Sequence, residues 1–187
     1  MKKMKKLIIL LILFAIVSSG GCESQKNTEK DLAKVYYDKG RDIMNNRQRG
    51  DEIENFSKAI NIYPEYEEAY FFRAISYMKL GYHFKGGGNV YQDAIKDFDK
   101  LIELNPSSYE AYVNRGNAYL LLGDYKKASD NYSYSINSIC SKRPEAYYGW
   151  AMLHIMEGKL NPARLSLGIV GQFSYDDGYF LKSENCD

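Results

Sequence analysis

Two histidines, three cysteines, a run of glycines and a few acid pairs are the residues of this 187-residue chain whose types could do chemistry. His83 and His154 have no cysteine or carboxylate neighbours at the short spacings that hold zinc, so no metal site is assigned. Lys85-Gly86-Gly87-Gly88-Asn89 precedes a helical pattern, yet it lacks the G-x-x-x-x-G-K-[ST] order that cradles a phosphate, and a flexible hairpin loop is expected instead. No G-x-S-x-G element occurs, and Asp176-Asp177 falls in an expected turn rather than a site. The triplets Asn55-Phe56-Ser57 and Asn131-Tyr132-Ser133 match a glycosylation acceptor but sit inside expected helices. No catalytic residue and no cofactor are assigned, because nucleophile, base and orienter nowhere occur together. Thiol chemistry remains, at Cys22, Cys140 and Cys186.

The elements that must position these groups begin with an export pattern. Residues 1–21 carry four lysines and no acid, then an apolar run from Leu7 to Val17, then small residues, the three-part layout of a secretory signal. The 11 apolar residues rise only about 16 Å as helix against a bilayer core of roughly 30 Å, too short to span. Ser19-Gly20-Gly21-Cys22 resembles the lipobox of bacterial lipoproteins, although Ser19 stands where that family usually has leucine. The resemblance implies cleavage before Cys22, a diacylglycerol on its thiol, and a protein held to a bacterial membrane; an ordinary cleaved signal and an uncleaved anchor are the alternatives. Glu23 after the cysteine leans toward an outer membrane facing the periplasm, since aspartate there usually marks retention at the inner one. Residues 22–30 contain no apolar side chain after the cysteine and are expected to be a disordered tether.

The remainder carries 21 basic and 24 acidic residues, a net −3, which gives no reason to expect a nucleic-acid partner. With 45% hydrophobic and 26% charged residues the chain is neither a disordered tail nor a peptide that needs disulfides to fold. All 18 tyrosines lie beyond residue 21, so aromatic rings are the expected packing material.

A short pattern recurs four times: an aromatic, a small residue four places on, and a bulkier one three further. The copies are Tyr36/Gly40/Ile43, Tyr70/Ala74/Tyr77, Tyr112/Gly116/Tyr119 and Tyr147/Ala151/His154. This spacing keeps each set on one helix face, with the small residue where another helix comes close. A second helix follows in each copy, at Glu52/Phe56/Ala59, Ala94/Phe98/Leu101, Ala128/Tyr132/Ser135 and Ala163/Leu167/Val170. The offset between the two sets is 16 residues in three copies and 24 in the second, which places an eight-residue loop insertion near residues 82–91. Pro64 and Pro106 are expected to end second helices, with Pro144 doing so four residues late. Ser107 with Glu110, and Asn89 with Gln92, have capping-box spacing, and Asn161-Pro162 reads as a cap followed by a first-turn proline. Gly81, Gly123 and Gly158 are read as turns between paired helices.

These residues and offsets resemble the tetratricopeptide repeat, with Ala111–Tyr132 the nearest copy. The resemblance implies an all-α, right-handed solenoid of about four helix-turn-helix repeats over residues 31–171, at about 33–66, 67–108, 109–143 and 144–171, followed by a tail at 172–187. Departures are Glu52 for alanine and the basic Lys39, Arg73 and Arg115 for leucine.

Such arrays generally bind proteins on the concave side, which first helices line. One residue on from each packing stripe lie Tyr37/Arg41/Met44, Phe71/Ile75/Met78, Val113/Asn117/Leu120 and Tyr148/Met152/Ile155, ten of the twelve apolar or aromatic, more than a solvated face should carry. Family members that clamp a C-terminal carboxylate use lysine, asparagine and arginine here, and the leading positions hold no lysine. The expected groove comprises Tyr37, Phe71, Ile75, Met78, Val113, Asn114, Asn117, Leu120, Tyr148 and Met152, with Asn114 and Asn117 orienting a peptide backbone through their amides. The competing expectation is that these side chains pack between neighbouring helices. The tail FSYDDGYFL, residues 173–181, is apolar enough to cap the last hairpin or to occupy the groove. Once Cys22 is acylated, Cys140 and Cys186 are the remaining thiols, and a disulfide between them would pin the tail at about 4 kcal/mol in the chain-entropy account; free thiols are the alternative. The function so implied is a membrane-tethered scaffold for protein partners of the cell envelope, resting on the bilayer through Cys22. The alternative is a carrier of a small apolar ligand such as a lipid or cell-wall fragment, which native mass spectrometry would reveal as bound non-protein mass.

Overall fold

The structure, a computed structural model, describes residues 25–46, 51–83, 88–139 and 143–170. The signal segment 1–21, Cys22, Cys140, Cys186, most of the glycine run and the tail 172–187 lie outside the described residues, as do the side chains of Leu167 and Val170. The chain divides into two compact units, Met1–Ala69 and Tyr70–Asp187.

The first unit contains α1, helical over residues 25–45, and α2, Glu52–Ile62. Residues 25–30, expected to belong to a disordered tether, are helical. They are rich in helix formers, and Thr28 Oγ1 donates to the Gln25 carbonyl at 2.7 Å while Gln25 Nε2 donates to Glu29 Oε1 at 3.2 Å. Gly40 is the small residue of the first copy, and a Cβ there would lie 2.7 Å from the Phe56 ring. Phe56 is fully buried, so α1 and α2 meet where the spacing put them. Glu52 is tolerated in place of alanine because it is the first residue of α2, half-buried, with its charge at the positive end of the helix dipole. Tyr63 caps α2, donating its N–H to the Ala59 carbonyl at 2.9 Å, and Pro64 follows as expected.

The second unit is built from α3 (Glu67–His83, which begins in the first), α4 (Gly88–Leu104), α5 (Tyr109–Leu122), α6 (Tyr125–Tyr134), α7 (Pro144–Met156) and α8 (Leu160–Val170). A π-turn, Ser135–Ile139, extends α6. The insertion is mostly not a loop. It lengthens α3 and α4 to 17 residues each, leaving only 84–87 outside the described residues. Gly81 is accordingly inside α3 rather than at a turn, and a Cβ on it would lie 2.6 Å from the Tyr91 ring of α4; it is a crossing point. Asn89 lies within α4, as its second residue, and not ahead of it.

Gly123 and Gly158 do mark turns. With φ of 79° and 73° they are left-handed, and the next residues, Asp124 and Lys159, donate back to Tyr119 and His154 at 2.9 and 2.8 Å, closing α5 and α7 with the same motif. Ser108, one residue later than expected, caps α5 by accepting from the Ala111 N–H at 3.3 Å. Asp124 caps α6 through the Lys127 N–H at 3.2 Å. Pro144 starts α7 instead of ending a helix, and Asn161-Pro162 lies in the first turn of α8, where a missing N–H costs nothing.

One ring organises the last two hairpins. Tyr132 of α6 is fully buried, its hydroxyl donating to Asn117 Oδ1 at 2.8 Å. A Cβ added at Gly116 of α5 or at Gly149 of α7 would stand 2.6 Å from that ring, so both helices close on it only because they lack one. Burial pushes the Tyr132 hydroxyl well above its usual range. Tyr109 ties the starts of α5 and α7 together, donating to the Arg143 carbonyl at 3.0 Å and accepting from the Ala146 N–H at 3.1 Å.

Candidate partner-binding surface

The expected groove residues fall into three environments. In the first unit, Tyr37 is half-buried, with its ring 6.0 Å from Phe56 and 5.1 Å from Tyr66 and its hydroxyl accepting from Arg41 Nη1 at 3.3 Å. It is a packing residue of that unit. Burial raises its hydroxyl pKa and pushes that of Tyr66 up to about 12.

In the second unit, the α5 residues are core. Val113 and Leu120 are only 4% and 7% exposed, in one cluster with Tyr132, Ala146 and Leu153. The expectation that they anchor a partner is corrected here, because Ala146 and Leu153 of α7 close into the same core cluster. The asparagines between them are partly committed. Asn117 gives its carbonyl oxygen to Tyr132, and Asn114 Nδ2 donates to the Glu110 carbonyl of its own helix at 2.8 Å.

On α3 the same register gives a different result. Phe71, Ile75 and Met78 are half-buried, their inner sides against the buried Ala74, Ala94 and Phe98 and their outer sides in solvent. The Phe71 ring stands 6.3 Å from Phe98, edge-on. On α7 the stripe is open, with Tyr148, Met152 and Ile155 exposed by 55%, 38% and 44%.

The basic residues at the leucine positions have a role that repeat-scale reading did not supply. Arg73 reaches from α3 to Asp97 of α4 with Nε–Oδ2 of 2.8 Å and Nη2–Oδ1 of 2.6 Å, a bidentate and mostly buried pair, and its guanidinium lies 5.7 Å from the Tyr70 ring centre. In the next hairpin Arg115 Nε donates to the buried Asn131 Oδ1 at 2.8 Å and Nη1 to Asp99 at 2.5 Å, over Tyr112. Trp150 holds the equivalent place on α7, its indole N–H donating to Ser129 Oγ at 3.3 Å. The α3–α4 and α5–α6 hairpins thus each carry a polar crosspiece beside the aromatic core, whereas Trp150 reaches back to α6 of the preceding hairpin. Burial pushes the Asp97 carboxyl up even though Arg73 pulls it down, and Arg73 is held above its usual value by that carboxylate against the opposing effect of burial. The sequence signal is a polar residue three places after the leading position of the second helix, at Asn55, Asp97 and Asn131.

His154 is half-buried, with Nδ1 3.5 Å from Glu157 Oε2, and His83 is exposed. Among the described residues no group of three His, Cys, Asp or Glu side chains could hold a metal ion, and no helix is long and apolar enough to cross a membrane.

A tetratricopeptide-repeat family profile matches residues 98–128, from the second helix of one hairpin into that of the next. That match spans one repeat within the four hairpins. The fold is that of a tetratricopeptide-repeat array, an all-α solenoid. Among solved structures it is similar to MamA at 20% identity and TM-score 0.64, over 83% of this chain and 90% of that one. It is also similar to TTC0263, a thermophilic tetratricopeptide-repeat protein of Thermus thermophilus, at 18% and 0.62, over 81% and 93%. The first repeat domain of Spaghetti (RPAP3), bound to an HSP90 peptide, matches at 20% and 0.53, over 74% and 95%. Among curated proteins, none matches the sequence. At these identities the likeness concerns the fold of the tetratricopeptide array alone.

Proposed function

We propose that the tetratricopeptide array is a protein-binding scaffold of a bacterial cell envelope, tethered to the membrane by a diacylglycerol on Cys22, with the α3 face as the part that meets its partner. The observation that carries this reading is the half-buried row Phe71, Ile75 and Met78. Three large side chains four and three residues apart rest on a rigid floor of Ala74, Ala94 and Phe98 and keep their outer surfaces in solvent. Anchors that are already ordered lose little side-chain entropy on binding, which favours association with an extended or helical apolar segment. The fold supports the reading, since the Spaghetti domain that shares it is bound to a peptide. The lipobox-like Ser19-Gly20-Gly21-Cys22 supports the tether.

A crosslinking pull-down from cells tests it, comparing the parent protein with Phe71→Glu/Ile75→Glu at matched helicity by circular dichroism. The reading expects a discrete envelope protein to be lost with the double substitution. An unchanged set of partners would overturn it. Metabolic labelling with a fatty acid, abolished by Cys22→Ser, tests the tether separately.

A further inference from the structure

The face that α7 covers on α5 recurs on α7 itself, and there no described residue covers it. Tyr148, Met152 and Ile155 are the register equivalents of Val113, Asn117 and Leu120, and with Met156 they make an exposed apolar row along one side of α7. An exposed apolar row of this size is costly to leave wet.

We infer that residues 173–181 of this chain, FSYDDGYFL, dock on this face and close the array. Reach favours it. Helices α7 and α8 are joined by the tight turn at Gly158 and packed together, so α8 runs back antiparallel and its end at Val170 returns toward the Tyr148 end of α7. The 17 residues after Val170 span up to about 55–60 Å when extended, whereas α7, with 13 residues, is about 20 Å long. Composition favours it too. Phe173, Tyr175, Tyr179, Phe180 and Leu181 supply five large apolar or aromatic side chains in nine residues, the kind that packs the helix crossings elsewhere in this fold. Tethering adds a third reason: a segment so close to its site meets it at millimolar effective concentration, which a second copy in a dilute compartment does not reach. Docking there leaves the α3 face to a partner, so the tail acts as an end cap and not as a plug.

The test uses the full chain with Cys22→Ser, Cys140→Ser and Cys186→Ser, and Met152→Cys as the single thiol, its rate of reaction with a maleimide followed at several protein concentrations. The rate is compared with the same chain lacking residues 173–187 and with a full-length chain carrying Phe180→Asp and Leu181→Asp, helicity being checked in each. The inference expects labelling of the full chain to be about tenfold slower than in either altered chain, at every concentration, as for a side chain exposed only on local opening. Equal rates in the full-length chain and its Phe180→Asp/Leu181→Asp form would overturn it, whatever the deletion does to folding. Protection that grows with protein concentration would overturn it in favour of a second copy.

Discussion

The first helices of the last two hairpins carry the same stripe and differ in what lies beside it. On α5, Val113 and Leu120 are sealed by α7; on α7, Tyr148, Met152 and Ile155 face outward. Position in the array, not residue type, decides whether an apolar stripe is core or surface. Valine and leucine are no more apolar than methionine and isoleucine, yet among the described residues only the first pair shares a core cluster with the hairpin that follows it. The α3 stripe falls between these extremes, which is why it is the part proposed to meet a partner.

The comparison can be broken or sharpened by substitution, the largest effect coming from the sealed stripe. Val113→Glu places an uncompensated carboxylate in the core and should cost about 4 kcal/mol or more, read by urea titration. Tyr132→Ala, which empties the space between Gly116 and Gly149, should cost about 3–5 kcal/mol in the same titration. A smaller loss would mean that α5 and α7 close over the gap. Asp97→Ala leaves the mostly buried Arg73 without its partner and should cost about 3 kcal/mol, and Arg73→Met on top of it should recover a large part of that loss. Recovery in the double variant separates a stranded charge from lost packing.

Alkaline titration gives a gentler effect. Tyr66, Tyr109 and Tyr132 all have hydroxyl pKa values raised by burial. Below about pH 10 both folded and unfolded forms keep these protons, so the shifts leave stability independent of pH there. Above it the unfolded chain releases protons that the folded one retains, and stability should fall as pH rises. Thermal melts between about pH 9 and 11 should show this decline, and Tyr132→Phe should make it shallower. Met152→Glu, on the open stripe, should cost more than about 0.5 kcal/mol in the full chain, where the tail rests on it, and no more than that in the chain lacking residues 173–187, both read by thermal melts.

Much of this architecture is readable from spacing. The small residues at Gly40 and Gly116 meet the rings of Phe56 and Tyr132 because a four-residue step keeps an aromatic and a gap on one helical face. Gly81 misleads because a glycine after a helical run has the same local signature whether it ends the helix or admits a ring from a neighbour. Its partner Tyr91 lies on the next helix, across the insertion. The crosspieces Arg73–Asp97 and Arg115–Asn131 escape for the same reason: arginine at a leucine position is only a departure until the acceptor 16 or 24 residues away is paired with it. Periodicity places the apolar stripe on the correct face but carries no information about what covers that face. Val113 and Tyr148 are therefore indistinguishable in the sequence.

The most direct measurement of the scaffold reading is photo-crosslinking in cells from a benzophenone amino acid placed at Phe71, at Asn114 on the neighbouring first helix, and at exposed Lys96 on the second helix α4 as control. The account predicts the same discrete protein adduct from positions 71 and 114 and none from 96. Identical adducts from all three, or none from position 71 in a folded protein, would contradict it.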